Sequence, residues 1–154
     1  MAKSQLMPKR GNVMLKPKQK NAVTYTSIET PIGLVFAAFS GGALCRIAQG
    51  TEAQFLHMIS SIFDEAPIRA DARLQNEAQK ILAAFTEDGP IKLPINLDGL
   101  TPFSQLVLNK TADIPRGQVR SYHWIALEIG KPNAYRAVGT ALGKNPLPFV
   151  IPCH

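Results

Sequence analysis

Residues 101–143 carry the start and stop signals of three short helices in close succession, and this succession restricts the fold more than any other feature. Thr101 followed by Pro102 is typical of a helix start, because threonine accepts a hydrogen bond from a free backbone N–H and proline fits the first helical position. The pattern predicts a first helix from Pro102 to Ala112.

A second helix is predicted after the cap residue Ser121, and it ends at Gly130. Residues 131–133 connect it to a third helix, from Ala134 to Leu142, with Asn133 as its cap. Two short helices joined by so few residues are typical of a helix-turn-helix.

The first half of the chain has the pattern of a small α/β domain. Alternating apolar residues and glycine-containing turns predict three antiparallel strands, at residues 23–29, 34–39 and 43–48. Apolar residues at helical spacing predict two helices, from Glu52 to Phe63 and from Asp71 to Phe85. We expect both helices to cover the same face of the sheet.

The net charge of +6 is spread unevenly. Residues 1–20 hold six basic side chains and no acidic one, residues 21–100 hold five and nine, and residues 101–154 hold six and two. This asymmetry predicts a basic disordered tail and a basic second half that faces a polyanion. The predicted organisation is a tail at 1–20, an α/β domain at 21–90, a linker at 91–100 and a mostly helical domain at 101–154.

Composition argues against several functional classes. No stretch approaches the roughly 18 to 20 apolar residues that span a bilayer, and the start of the chain lacks the apolar core of a signal peptide. We therefore expect no membrane association and a cytoplasmic protein, or a nuclear one in a eukaryote. Cys45 and Cys153 have no Cys or His partner at metal-ligand spacing, so we expect no metal site and no disulfide framework. Cys45, inside an apolar strand, is predicted to be buried.

The predicted third helix has an unusual exposed face, made of Ala134, Ala137 and Gly139 with Arg136 near its start. Helices that read the major groove normally carry long polar side chains there. Two interpretations remain open at this point. Either this face fits a narrow groove while the arginine enters the duplex, or the helix simply packs against protein.

The segment Ile151-Pro152-Cys153-His154 places a thiol beside an imidazole. Cysteine reacts as its thiolate, and a neighbouring histidine is one of the few side chains that forms a thiolate near neutral pH. Cys153 is therefore a candidate nucleophile, with His154 as its candidate base.

The same segment resembles the Pro-Cys-His-Arg motif of the alkylguanine-DNA alkyltransferases, also called methylated-DNA–protein-cysteine methyltransferases. In the first half only the order of strands and helices fits this family. In the second half the resemblance rests on separated matches in the family's order: Thr101-Pro102-Phe103, Ile114-Pro115-Arg116-Gly117-Gln118-Val119, Ser121-Tyr122, Ile129-Gly130-Lys131-Pro132, Arg136-Ala137-Val138-Gly139 and Lys144-Asn145-Pro146-Leu147-Pro148.

The resemblance implies a direct repair reaction on DNA. Cys153 would accept the alkyl group from the 6-oxygen of guanine, after His154 removes the thiol proton through an ordered water. Asn145 would order the turn behind the site, and Pro148 would line the alkyl pocket. Tyr122 would donate its hydroxyl to the departing guanine and crowd the phosphate so that the nucleotide rotates out. The reaction would use no cofactor and would act once per molecule.

The resemblance also implies how the DNA is held. Arg136 would fill the space left by the extruded base, and Ala134, Ala137 and Gly139 would form a minor-groove surface. The partner would be double-stranded DNA that contains 6-O-alkylguanine, bound by a monomer unless a separate C-terminal piece completes the fold. The implied fold is an α/β domain with a three-stranded antiparallel, RNase H-like sheet, followed by a winged-helix-like domain with a helix-turn-helix.

Two departures from the family pattern bear on activity. Leu108 stands where the family commonly has a tryptophan, which we interpret as a packing change. The family continues past the histidine with a helix whose glutamate orients the imidazole, whereas this sequence stops at His154 and is truncated relative to that pattern. One alternative is therefore a module that binds alkylated DNA without transferring the alkyl group, inactive because this tail is missing. A separate alternative is an ordinary helix-turn-helix regulator.

Overall fold

The computed structural model describes residues 21–86 and 93–152. The predicted basic tail and the residues Cys153 and His154 lie outside these described residues. The elements, in chain order, are β1 (Val23–Thr30), β2 (Gly33–Ser40), β3 (Ala43–Gln49), α1 (Glu52–Ser60), β4 (Ile68–Arg69), α2 (Gln75–Thr86), α3 (Pro102–Ala112), α4 (Tyr122–Glu128) and α5 (Tyr135–Leu142).

The sheet begins as predicted, with β1, β2 and β3 in an antiparallel meander. The prediction of three strands was wrong, because β4 pairs in parallel with β1 and gives the order β3-β2-β1-β4. A strand of two residues is too short to leave an alternating pattern in the sequence.

The side chain of Arg69 stabilises the position of the short strand β4. Arg69 forms ion pairs with Glu52 at 2.5 Å and with Asp71 at 2.7 Å, and its Nη2 donates to the hydroxyl oxygen of Ser27 at 2.8 Å. Hydrogen bonds donated by Arg69 and, to a smaller extent, by Thr26 lower the pKa of Asp71. This network links β4 to both β1 and α1.

The two helices of the first half cover opposite faces of the sheet, so the expectation of a shared face was wrong. On one face α1 packs Phe55 and Ile59 against Phe36 of β2. On the other face α2 packs Ile81 in the core cluster that contains Val35. Successive side chains of a strand point to opposite faces, and six consecutive residues of β2 are buried. A strand buried on both faces does not specify in its sequence which helix lies on which side.

The capping signals of the second half are largely confirmed. The side chain of Thr101 accepts a hydrogen bond from the Ser104 amide at the start of α3, and Ser121 caps α4 by accepting one from the Trp124 amide. After α4, Gly130 has a φ of 72°, in the left-handed region that favours glycine. The predicted Asn133 cap was wrong. The cap position of α5 is Ala134, and no side chain caps that helix.

One core cluster joins the two halves of the chain. It includes Ala37 and Ile47 of the sheet together with Val107 of α3 and Val138 of α5. Leu108, at the family's tryptophan position, lies in the same cluster with an exposed fraction of 0%. The segment before α3 forms an isolated parallel bridge with β3, in which the Leu44 amide donates to the carbonyl oxygen of Pro94 at 2.8 Å and the Asn96 amide to that of Leu44 at 2.8 Å. Within the described ranges, no helix combines the length and apolar character that a membrane crossing requires.

Candidate functional site

The ring of Tyr122 lies directly over Gly139, which brings α4 and α5 together at the surface. A Cβ atom at Gly139 would lie 3.0 Å from Cε2 and 3.2 Å from Cδ2 of this ring, closer than side chains normally pack. Tyr122 is the first residue of α4 and its exposed fraction is 47%. The glycine therefore determines where the tyrosine hydroxyl is presented.

Helix α5 has one buried and one exposed face. Val138, Ala141 and Leu142 are buried in the core, whereas Arg136 and Ala137 are exposed. The guanidinium carbon of Arg136 lies 5.9 Å from the ring centroid of Tyr135. The helix packs against protein through one face, and its other face is exposed in the structure.

The chain passes from α5 directly into a tight turn at residues 145–151. The Asn145 amide donates to the carbonyl oxygen of Leu142, at the end of α5, at 3.0 Å. The side chain of Asn145 then holds the turn from inside: its Oδ1 accepts from the Leu147 amide at 2.9 Å, and its Nδ2 donates to the carbonyl oxygen of Ile151 at 2.6 Å. The Ile151 amide returns to the Leu147 carbonyl oxygen at 2.9 Å and closes the turn.

The first half of the chain supports this turn at two points that the sequence did not predict. The Ile47 amide of β3 donates to the carbonyl oxygen of Pro146 at 3.0 Å. The rings of Phe85, in α2, and Phe149 lie 4.9 Å apart. Phe149 has a φ of 74°, a left-handed conformation that is costly for a bulky residue and that persists only where its surroundings enforce it.

The described part of the turn leads toward the predicted nucleophile. Pro148 and Pro152 are half-buried, and Ile151 has an exposed fraction of 0%. Cys153 and His154 follow at once in sequence but lie outside the described residues. The chain is thus anchored two residues before the predicted acceptor.

The chain is similar in sequence to known proteins of one family. A family model described as the DNA-binding domain of 6-O-methylguanine DNA methyltransferase matches residues 102–154. The constitutive methylated-DNA–protein-cysteine methyltransferase of Bacillus subtilis is 35% identical over 133 residues, which are 84% of this chain and 78% of that protein. The chain belongs to the methylated-DNA–protein-cysteine methyltransferase family.

This family member covers different fractions of two further related proteins. The bifunctional transcriptional activator/DNA repair enzyme Ada of Escherichia coli is 35% identical over 138 residues, which are 86% of this chain but 38% of that protein. The chain thus spans well under half the length of that relative. The structure of the OGT protein of Mycobacterium tuberculosis in complex with DNA superposes with a TM-score of 0.69 at 31% identity, over 85% of this chain and 76% of that one.

Cys45 is the cysteine within the part of the chain that the structure describes. Cys45 is buried, as predicted, with an exposed fraction of 3%, and its thiol donates to the carbonyl oxygen of Ala38 at 3.3 Å. Burial raises the pKa of this thiol to about 11, so it is poorly reactive near neutral pH. Within residues 21–86 and 93–152, no group of three or more His, Cys, Asp or Glu side chains is placed to hold a metal ion.

Proposed function

We propose that this protein repairs DNA by transferring the alkyl group of 6-O-alkylguanine to Cys153. The observation that carries the proposal is the continuity between the exposed face of α5 and the turn held by Asn145. The exposed helix α5 runs into a hydrogen-bonded turn whose last described residue, Pro152, directly precedes Cys153 in sequence, so the segments proposed to bind the duplex and to carry the nucleophile are adjacent. This activity is supported by one relative named as a methylated-DNA–protein-cysteine methyltransferase and by another named as a DNA repair enzyme.

Access to the target atom requires that the nucleotide leave the base stack. We propose that Ala134, Ala137 and Gly139 approach the minor groove, since small residues let a helix backbone come close to the duplex. Arg136 enters the stack and replaces the extruded base, which offsets part of an unstacking cost of a few kcal/mol. Tyr122, held over Gly139, crowds the phosphate of the rotating nucleotide.

The chemical step is a displacement at carbon. His154 takes the proton of Cys153 through a water, and the resulting thiolate attacks the alkyl carbon. A sulfur–carbon bond forms while the bond between that carbon and the 6-oxygen breaks. The leaving guanine takes a proton from the Tyr122 hydroxyl, and the proton held by His154 returns to the Tyr122 oxygen through solvent, so that in net terms the thiol proton ends on guanine. Pro148 lines the alkyl pocket. The product thioether is stable, so each molecule acts once, and the reaction needs no cofactor.

The remaining proposals concern organisation. We propose an α/β domain at 21–90, a linker at 91–100 and a winged-helix-like DNA-binding and acceptor domain at 101–154, in which α4 and α5 form the helix-turn-helix. The protein would act as a monomer in the compartment that holds the chromosome, the cytoplasm of a prokaryote or the nucleus of a eukaryote.

The proposed function is tested by intact-protein and peptide mass spectrometry. The full-length protein is incubated with a duplex that contains 6-O-methylguanine and, separately, with the same duplex containing guanine. We expect a gain of one methyl group with the lesion duplex alone, on the peptide that contains Cys153. The buried Cys45 is an internal control and should stay unmodified. A folded preparation that prefers the lesion duplex but never gains a methyl group would instead be a binding module.

Arg136→Ala is expected to slow methyl transfer from duplex DNA by about 10- to 100-fold, because the unstacking cost of a few kcal/mol is no longer offset. Transfer from the free base 6-O-methylguanine should stay near the wild-type rate, since that substrate needs no extrusion. Single-turnover assays with both substrates measure the two rates. Equal losses of transfer rate on the two substrates would contradict the role of Arg136 in extrusion. Arg73→Ala, in the first half of the chain, provides the matched control.

A further inference from the structure

The loop that precedes α4 holds a cation over an aromatic ring. The guanidinium carbon of Arg120 lies 5.4 Å from the ring centroid of Trp124. Its Nη2 donates to Oε1 of Gln118 at 2.6 Å, and its Nη1 donates to the carbonyl oxygen of Val119 at 2.9 Å. Arg120 is exposed, yet three contacts restrict its conformation.

A sharp turn at residues 115–118 directs this loop. The Gln118 amide donates to the carbonyl oxygen of Pro115 at 3.1 Å, and Gly117 has a φ of 79°. A positive φ at the third position of such a turn is the geometry that glycine accommodates without strain. The loop then ends at Ser121, which caps α4 and precedes Tyr122. Arg120 is therefore held two residues from the tyrosine of the candidate site.

The charge of Arg120 is not neutralised within the part of the chain that the structure describes, because its partners are an amide oxygen, a carbonyl oxygen and a ring. Lys110 also lies 5.4 Å from the Trp124 ring but pairs with Glu128 at 2.9 Å, which raises the pKa of Lys110. Of the two cations over the Trp124 ring, Arg120 is therefore the one that offers its charge to an external anion.

We propose that Arg120 binds a backbone phosphate of the DNA duplex. This phosphate lies close to the strand that Tyr122 and Arg136 contact. This inference rests on the proposed function, and it adds a residue to which that function assigns no role. A guanidinium presents a planar set of donors that matches a phosphate, and its stacking on Trp124 reduces the entropy lost when it binds. A phosphate contact carries no sequence information, so it suits a protein that must find a lesion in any sequence.

The test is the salt dependence of duplex binding by Arg120→Gln, which keeps a hydrogen-bonding side chain but removes the charge. Affinity is measured from about 50 to about 200 mM salt, on the 6-O-methylguanine duplex and on the matched plain duplex. We expect affinity for both duplexes to fall by about five- to tenfold, and the slope of log affinity against log salt to decrease in magnitude by about 0.9, as for one lost phosphate contact.

Two comparisons complete the experiment. Arg120→Lys keeps the positive charge but lacks the planar guanidinium that stacks on Trp124. It should retain part of the affinity for DNA and the full slope of log affinity against log salt. Arg73→Gln, an exposed arginine between β4 and α2, should match the wild type. An Arg120→Gln slope equal to that of the wild type, or a loss restricted to the lesion duplex, would overturn the inference while the proposed function stands. Failure of the wild-type protein to bind either duplex would overturn both.

Discussion

Cys153→Ala is expected to abolish methyl transfer completely while binding to the lesion duplex persists. The thiolate is the only group that the proposed reaction consumes, and alanine supplies no nucleophile in its place. The groups that we propose to bind DNA, Arg136 and the small residues of α5, are unaffected by the change. Peptide mass spectrometry reports the transfer, and a binding titration with the lesion duplex reports the affinity.

The matched control for this prediction is Cys45→Ala. The Cys45 thiol is buried against β2 and has a raised pKa, so its loss should leave transfer intact and lower stability only through a small cavity. Methyl incorporation by Cys153→Ala, or its loss in a folded Cys45→Ala protein, would show that the acceptor has been assigned to the wrong cysteine.

Asn145→Ala is expected to lower both stability and transfer rate. The substitution leaves the Leu147 amide and the Ile151 carbonyl oxygen without the partners that the Asn145 side chain provides, in a turn where both residues are buried. An unsatisfied buried polar group costs about 1–3 kcal/mol. The transfer rate should fall by about 100-fold, because a displacement of about 1 Å in a reacting group has an effect of that size.

Denaturant unfolding and single-turnover transfer, both well below the unfolding temperature, measure these two effects. Affinity for the lesion duplex should remain near that of the wild type, since the exposed face of α5 does not depend on this side chain. Asn109→Ala, an exposed asparagine on α3, is the control and should change neither quantity. A stability loss with an unchanged transfer rate would show that the turn does not position the acceptor.

The sequence predicted the helical half of the molecule closely because helix ends are specified locally. Thr101, Ser121 and Gly130 act on the turn of helix beside them, and each has the predicted role. Asn133 did not cap α5, since the helix begins one residue later, after Ala134. Cys45 was predicted to be buried from its apolar strand alone, and it is.

The first half was predicted less well because its errors concern contacts between distant residues. The two residues of β4 are held by the ion pair of Arg69 with Glu52 and by its hydrogen bond to Ser27, which are 17 and 42 positions away, so no local pattern reports them. The placement of α1 and α2 on opposite faces depends on which side of β2 each helix reaches. Alternation along a strand that is buried on both faces cannot decide this.

By itself the sequence determined the family, the order of the elements apart from β4 and the candidate residues, since motifs and capping signals lie in consecutive positions. Only the tertiary structure decided how those residues are held. It placed the ring of Tyr122 over Gly139, fixed the turn around Asn145 and tied that turn to the sheet through Ile47 and Phe85. The physical reason is that the contacts of Tyr122 with Gly139 and of the turn with the sheet join separate elements, and their geometry is set by the packing of a core that both halves share.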